Sequence, residues 1–411
     1  MKATALLATN FKWYPTARLA VALAKAGFRV EAVCPSGHPM FKTSAVQERN
    51  HYNVFSPENS FAAAMMATKP DLVIAGDDIA VQQLHRLYET KRQAEGPDSL
   101  IAQTLERSLG WPASFPILYS RTDFLEAARE EGLRIPETAA VKTVDELREW
   151  IRRAGLPAVI KANGTSGGEG VSIAQTPEDA EREFLRLQAP PNLLRALKRT
   201  LTDQDATLLG PALARRPFQM SVQKFIAGTE ATSAVACWKG EVIASLHFEV
   251  VNKLKATGHA TVVRRIESAE MSEAAVKMVR RLKLSGLCGF DFMLEAGTRN
   301  AYLIEINPRS TQVGHLALGP GKNISAALFA AVTGGQVQDG PAVTDKETIA
   351  LFPQEWLRDS GSVFLRTAYH DVPWDEPELI RACIRKRKKP APWRVERSGA
   401  RGLAAAGTPR A

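Results

Sequence analysis

Through residues 1–115 short apolar runs alternate with stretches of helical periodicity. ATALLA, FRVEAVC and DLVIAG have the length of buried strands, and the stretches around Ala17 to Lys25, from Pro57 and from Asp77 have the spacing of helices. Strands and helices in alternation predict a parallel sheet with crossover helices, an α/β unit. No GxGxxG follows the first run, so a dinucleotide-binding fingerprint is not expected. GWPASFP, with two prolines and a glycine, marks the exit from this unit.

The pattern then changes. A helix is expected from Asp123 to Glu131, then the turn GLRIP, a strand ETAAV and a helix from Val144 to Arg153. PAVIKANGTSGGEGVSIA reads as a strand, a glycine-rich loop and a second strand. Residues 190–216 are Arg-rich and helix-like without a core stripe, and they read as an insertion. From Phe218 to Asn307 strands and hairpins dominate, broken by one amphipathic helix near Ser272 to Leu284, and a further helix is expected near Ile324 to Val332. No internal repeat is visible. The divisions that follow are 1–115, 116–335 and 336–411; within the second, a glycine-loop lobe takes about 135–226 and a hairpin lobe about 227–335.

Composition narrows the class. With 411 residues, 45% hydrophobic and 24% charged, the chain has the make-up of a soluble protein of two or three domains. No apolar run approaches the roughly 18 residues a spanning helix needs, and MKATALLATN lacks the plan of a secretory signal, so a cytoplasmic protein with no membrane partner is expected. Cys34, Cys237, Cys288 and Cys383 are far apart, which argues against disulfides or a zinc site. The net charge of +9 resides in residues 381–411, which hold ten Lys or Arg and one acid. Such a tail, basic and solvated from about 385, is no nucleic-acid surface, for only Trp393 accompanies RKRKK.

Three segments carry candidate chemistry. In LCGFDFMLEAGTRNAYLIEIN two strands flank an AGTRN turn. Alternation puts Phe290, Phe292 and Leu294 on one face of the first strand and Tyr302, Ile304 and Ile306 on the matching face of the second. Asp291, Glu305 and Asn307 then share the opposite face. If the turn closes on Glu295 and Ala301, Asp291 faces Glu305 directly, a repulsive pair that a bound divalent cation would neutralise; oxygen ligands favour Mg²⁺, with Mn²⁺ as an alternative. The second segment is Lys161, ending an apolar strand before NGTSGGEG, where Gly164, Gly167, Gly168 and Gly170 free backbone N–H groups to face a phosphate chain. No GK[ST] follows, so this is not a P-loop. The third is FQMSVQKFIAGTE, whose backbone from Gln223 through Lys224 and Phe225 to Ile226 could meet a nucleotide base and whose Glu230 could accept from ribose hydroxyls; an ordinary hairpin fits it equally well.

Taken together, these segments resemble the ATP-grasp superfamily over about residues 1–335. IKANGTSGGEGV is similar to the small-domain lysine and flexible glycine loop, QKFIAGTE to the adenine hinge and ribose glutamate, with Gln223 where many members have Glu, and FDFMLEAGTRNAYLIEINPR to the metal hairpin. The resemblance implies a Rossmann-like pre-ATP-grasp domain followed by a two-lobed ATP-grasp domain with mixed and antiparallel sheets. It implies ATP and Mg²⁺ as cofactors, with Asp291, Glu305 and Asn307 holding the metal, Arg121 and Lys161 on phosphates, and Arg309 of EINPRS meeting the reacting anion, as in carbamoyl-phosphate synthetases and biotin carboxylases. The expected activity is a carboxylate-amine ligase that forms an acyl phosphate from small-molecule substrates and passes it to a nucleophile, releasing ADP and phosphate. A carbamoyl-phosphate-type or bicarbonate-activating enzyme and a nucleotide-binding regulator without turnover stay open, as does a homodimer. Acceptor-site candidates are His247, Lys253, His259, Arg264 and His315, and Asp77 and Asp78 at the edge of the first sheet are either ligand-binding or helix caps.

Overall fold

The computed structural model describes residues 2–163, 170–203, 206, 208–255, 258–338 and 340–385. The expectations placed on Gly164, Gly167 and Gly168 and on the basic tail lie outside the described residues.

Three sheets organise the chain. In the first, β1 (Thr4–Ala8), β2 (Arg29–Val33), β3 (Val46–Asn50) and β4 (Leu72–Ala75) run parallel in the order β3-β2-β1-β4. Ala5 and Leu7 of β1 pack towards Leu19 and Leu23 of the Tyr14–Ala26 helix, and Leu6 and Ala8 towards Val81 and Leu84 of the Asp78–Glu95 helix. Burial on both faces is why β1 reads as one apolar run. β3 has no counterpart among the expected strands: VQERN buries only Val46 and forms an exposed edge, so no hydrophobic signal marks it.

The second sheet is antiparallel, ordered β5-β8-β6-β7, from β5 (Thr138–Val141), β6 (Ala158–Ala162), β7 (Val171–Ala174) and β8 (Met220–Lys224). The Val144–Ala154 and Pro177–Gln188 helices close one of its faces through Leu147, Trp150 and Phe184. Between the second of these helices and β8 the chain forms the Leu193–Asp203 and Leu209–Leu213 helices.

The third sheet has seven strands, ordered β13-β12-β9-β10-β11-β14-β15: β9 (Gly228–Trp238), β10 (Glu241–Lys253), β11 (Ala260–Ile266), β12 (Gly286–Glu295), β13 (Ala301–Asn307), β14 (Thr348–Leu351) and β15 (Tyr369–Asp371). The Arg121–Glu130 and Ala269–Leu282 helices cover one face, meeting Phe290, Phe292 and Leu303. The other face shares a core with the first sheet, where Ala234, Leu246 and Phe248 join Leu19 and Phe28. Beyond residue 335, where the sequence shows no clear pattern, β14 pairs with β11 and β15 with β14.

The β12–β13 hairpin differs from regular alternation in an instructive way. Its turn closes one residue earlier than expected, with Leu294 opposite Ala301. Regular pairing from there would put Ile304 opposite Asp291. A bulge between Asp291 and Phe292 in the register makes Ile304 the extra residue and restores Glu305 as the partner of Asp291. The expected inner face of Tyr302, Ile304 and Ile306 is therefore corrected to Ala301, Leu303 and Ile306, all in the core, while Tyr302 and Ile304 are only half-buried. Phe290, Phe292 and Leu294 do share the inner face.

Candidate active site

A cleft of about 1420 Å³ lies between the second and third sheets and extends to the loops that leave β1 and β4. Five strands and one helix bring the candidate residues to it. β6 carries Lys161 one residue before its end, β8 delivers Gln223 and Lys224, and Phe225 and Ile226 lead on to Glu230 of β9. β12 and β13 contribute Asp291, Glu305 and Asn307, Arg309 follows two residues later, and Arg121 opens its helix behind a Ser120 cap.

The charges interlock. Asp291 and Glu305 are cross-strand neighbours, and Thr232 of β9 flanks Asp291 on the other side. Burial and then the charge of Glu305 push Asp291 up to about 6, with hydrogen bonds from Thr232 and Asn307 acting against them. Burial raises Glu305 too, but the Arg121 guanidinium and then Lys161 outweigh it and hold Glu305 below the usual carboxylate range. Arg121 donates from Nη2 to Glu305 Oε2 at 2.9 Å and from Nη1 to Asn163 Oδ1 at 3.0 Å. Its Nε is buried with no hydrogen-bond partner among the described residues. Lys161 donates to Gln223 Oε1 at 2.8 Å, and Gln223 Nε2 donates to Thr138 Oγ1 at 3.0 Å. Burial and then neighbouring Arg121 bring Lys161 down to about 8, despite Glu305, Asp291 and Glu230.

Arg309 is clamped from the first sheet. Its Nε and Nη2 donate to the two oxygens of Asp78 at 2.9 and 3.0 Å, Nη2 also reaches Asn307 Oδ1 at 3.2 Å, and the guanidinium lies 5.3 Å from the centroid of the Trp13 ring. Burial opposes its charge, but Asp78 outweighs burial and its pKa rises. Gly289 of β12 permits the close approach of the next loop, because a Cβ there would fall 2.1 Å from Thr311 Cγ2.

Other candidates sort clearly. Asp77 is a buried cap that accepts from Ile79 and Ala80 N–H and from Thr9, whereas Asp78 is the partner of Arg309. His247 hydrogen-bonds Ser233 and Ser272, His315 joins Asp371 and Arg264 joins Glu249; none of the three lines the cleft, which corrects their reading as acceptor-site residues. Lys253 and His259 do line it, although Lys253 donates to Glu230 at 2.6 Å. Glu230 thus meets any incoming hydroxyl already paired. Sequence reasoning missed Trp13, Asn163, Thr138 and Thr232, which no spacing rule singles out.

Two family models match in succession: the carbamoyl-phosphate synthase L chain ATP-binding domain over residues 120–190 and the ATP-grasp domain over 209–313. Together they span the second sheet and the hairpin in the order in which the cleft uses them. Over those residues the chain is similar to the ATP-grasp superfamily. Its curated relatives include the carbamoyl phosphate synthase large chains of Methanosarcina acetivorans, 26% identical over 204 residues, and Rubrobacter xylanophilus, 26% over 211. These alignments cover 47% and 50% of this chain but only 16% and 18% of those relatives. Among solved structures, N5-carboxyaminoimidazole synthetase from Staphylococcus aureus is similar with TM-score 0.57 and 16% identity, over 82% of this chain and 80% of that one. The biotin carboxylase domain of Hydrogenobacter thermophilus 2-oxoglutarate carboxylase, solved with MgADP, ADP and bicarbonate, is similar with TM-score 0.58 and 14% identity, over 83% and 72%. The shared ATP-grasp fold has ATP and Mg²⁺ as its cofactors.

The residues present suit that metal. No group of three or more His, Cys, Asp or Glu placed to hold an ion occurs among the described residues. Two carboxylates and one amide oxygen are a partial shell, which is what Mg²⁺ takes when water and substrate phosphates complete it. Burial first, and then the charge of Glu305, raise the pKa of Asp291, and a cation held between the two carboxylates would offset the second of these.

Proposed function

We propose that this ATP-grasp protein is an ATP-dependent ligase that converts a small-molecule carboxylate to an acyl phosphate and transfers the acyl group to an amine or similar nucleophile, releasing ADP and phosphate. The observation that carries the reading is the opposition of Asp291 and Glu305 in register, ringed by Arg121, Lys161 and Arg309. Forming an acyl phosphate gathers negative charge on nucleotide, carboxylate and transferring phosphoryl group, so counter-charge must stand in place beforehand. Asp291, Glu305 and Asn307 would hold Mg²⁺, which would neutralise phosphate charge when bound. Lys161 and Arg121 would face the phosphates, Arg121 with the donor at Nε that it leaves unused. Gln223 orients Lys161, and the backbone from Gln223 to Ile226 with the Phe225 ring would meet the base, with Glu230 near the ribose. Arg309, held by Asp78 and Trp13, would orient the reacting carboxylate.

Bicarbonate as the activated carboxylate is the second reading. It rests on the position of Arg309 directly after the hairpin and on the bicarbonate named in the 2-oxoglutarate carboxylase structure.

The test is an ADP-release screen over amino acids, small carboxylates and bicarbonate, with and without amine acceptors, in the presence of Mg²⁺. A substrate should raise ADP release well above the basal rate, and Glu305→Ala should lower that rate at least about a hundredfold, because phosphate counter-charge is lost. Turnover by Glu305→Ala equal to the parent would remove the metal assignment.

A further inference from the structure

Two groups from distant parts of the chain meet on Trp13, the residue before the Tyr14–Ala26 helix. The Arg309 guanidinium lies 5.3 Å from the centroid of the Trp13 ring, and the His259 ring lies 6.2 Å from it, tilted by 40°. Trp13, His259 and Arg309 all line the cleft. The backbone sets the position of His259. It ends the turn between β10 and β11, where Leu254 N–H donates to its carbonyl oxygen at 3.0 Å and Ala260 pairs with Lys253. Arg309 is fixed in turn by Asp78. An imidazole therefore stands beside the guanidinium that would orient the reacting carboxylate.

Among the described residues His259 is the one histidine that lines the cleft. Its side chain is open to the cleft, and no hydrogen bond to its ring nitrogens occurs among the described residues. The cleft walls, and then the charge of Arg309, hold its pKa below the usual imidazole range, so at neutral pH the ring keeps a lone pair to offer. The other groups there that could take a proton are committed. Asp78 is bound to Arg309, Glu230 to Lys253 and Tyr119 to His85. Asp291 and Glu305 oppose each other on the hairpin, where the metal would sit. Protonated lysines and arginines are donors only, and Lys161 already donates to Gln223.

We infer that His259 is the general base of the second half-reaction, taking a proton from an acceptor amine as its nitrogen attacks the acyl phosphate. The inference rests on the ligase reading and deepens it, because it gives the acceptor a place, between His259 and the carbonyl carbon oriented by Arg309. The C–N bond forms as the bond from the carbonyl carbon to the phosphate oxygen breaks, and that electron pair leaves with phosphate. The nitrogen, uncharged when it attacks, gives up one proton to the imidazole. The imidazolium passes this proton to the departing phosphate, so the products are an amide and hydrogen phosphate, and His259 is neutral again. The nearby charge of Arg309 disfavours the imidazolium and so drives the proton onward.

The experiment compares two fates of the acyl phosphate in the full chain with MgATP and the carboxylates of the ADP-release screen. Hydroxylamine traps an acyl phosphate as a hydroxamate without a protein base, whereas ammonia and the amino acids, offered as acceptors, draw on the base to form an amide. His259→Gln keeps a polar side chain of similar reach and removes the base. It should lower the rate of amide formation about a hundredfold. The hydroxamate rate should stay within about threefold of the parent's, which also shows the variant folded. Amide formation by His259→Gln at the parent's rate, or an equal loss of hydroxamate, overturns the inference. So does a parent that forms hydroxamate but no amide with any of these acceptors. A parent that gives neither hydroxamate nor ADP strikes the ligase reading instead, so the two failures are distinguishable.

Discussion

Asp291 and Lys161 both have pKa values shifted towards the neutral form, Asp291 upwards and Lys161 downwards, and both departures can be measured. Asp291 ionises only near pH 6, so its charge costs the ligand-free fold stability above that pH, and the cost fades as pH falls towards the ordinary carboxylate range. Asp291→Asn should therefore stabilise the ligand-free protein at neutral pH by on the order of 1 kcal/mol. In thermal melts the variant should start higher but gain nothing from MgATP, whereas the parent should gain; a variant that melts lower at neutral pH would contradict the charge argument. Lys161 loses its proton near pH 8 when the cleft is empty, and a bound triphosphate would raise that pKa. Nucleotide affinity is then full below about pH 8 and falls by up to about tenfold per pH unit above it. Fluorescence titration should show this slope in the parent and none in Lys161→Arg, which stays charged.

At the scale of elements, the hairpin shows what a period-two reading captures and where it stops. The inner face of β12 was legible because Phe290, Phe292 and Leu294 obey strict alternation. The face of β13 was not, because a bulge adds Ile304 without leaving a mark in composition, and yet the longer turn and the bulge cancel so that Asp291 still meets Glu305. The clamp on Arg309 was equally hidden, since Asp78 is 231 residues away in sequence and looked like a second cap beside Asp77. That clamp joins the first residue of a helix in the first sheet to the loop after the hairpin. Asp78→Ala should release the Arg309 side chain and lower kcat about tenfold or more, with ATP affinity within twofold, in steady-state assays with the substrate found by the ADP-release screen. An equal loss in ATP affinity would mean the clamp holds the nucleotide site instead.

For the whole molecule, the first sheet and the order of the lobes were legible because strand and helix periods alternate cleanly there. The last part was not, because β14 and β15 are strands of four and three residues whose place in the third sheet depends on long-range pairing with β11. The position of the net charge also matters at this scale. Truncation after residue 385 removes most of the basic tail, and the ligase reading expects the shortened chain to release ADP within twofold of the full chain's rate, while a nucleic-acid role for the tail expects a large loss. The central claim is that the opposed acids on the hairpin stand together because a magnesium-nucleotide complex neutralises them, and the most direct measurement is a crystal structure with Mg²⁺ and a non-hydrolysable ATP analogue. The account predicts metal density between Asp291, Glu305, Asn307 and the phosphate oxygens, with Lys161 and Arg121 on the phosphates. A triphosphate bound elsewhere, with both acids facing bulk water, would contradict it.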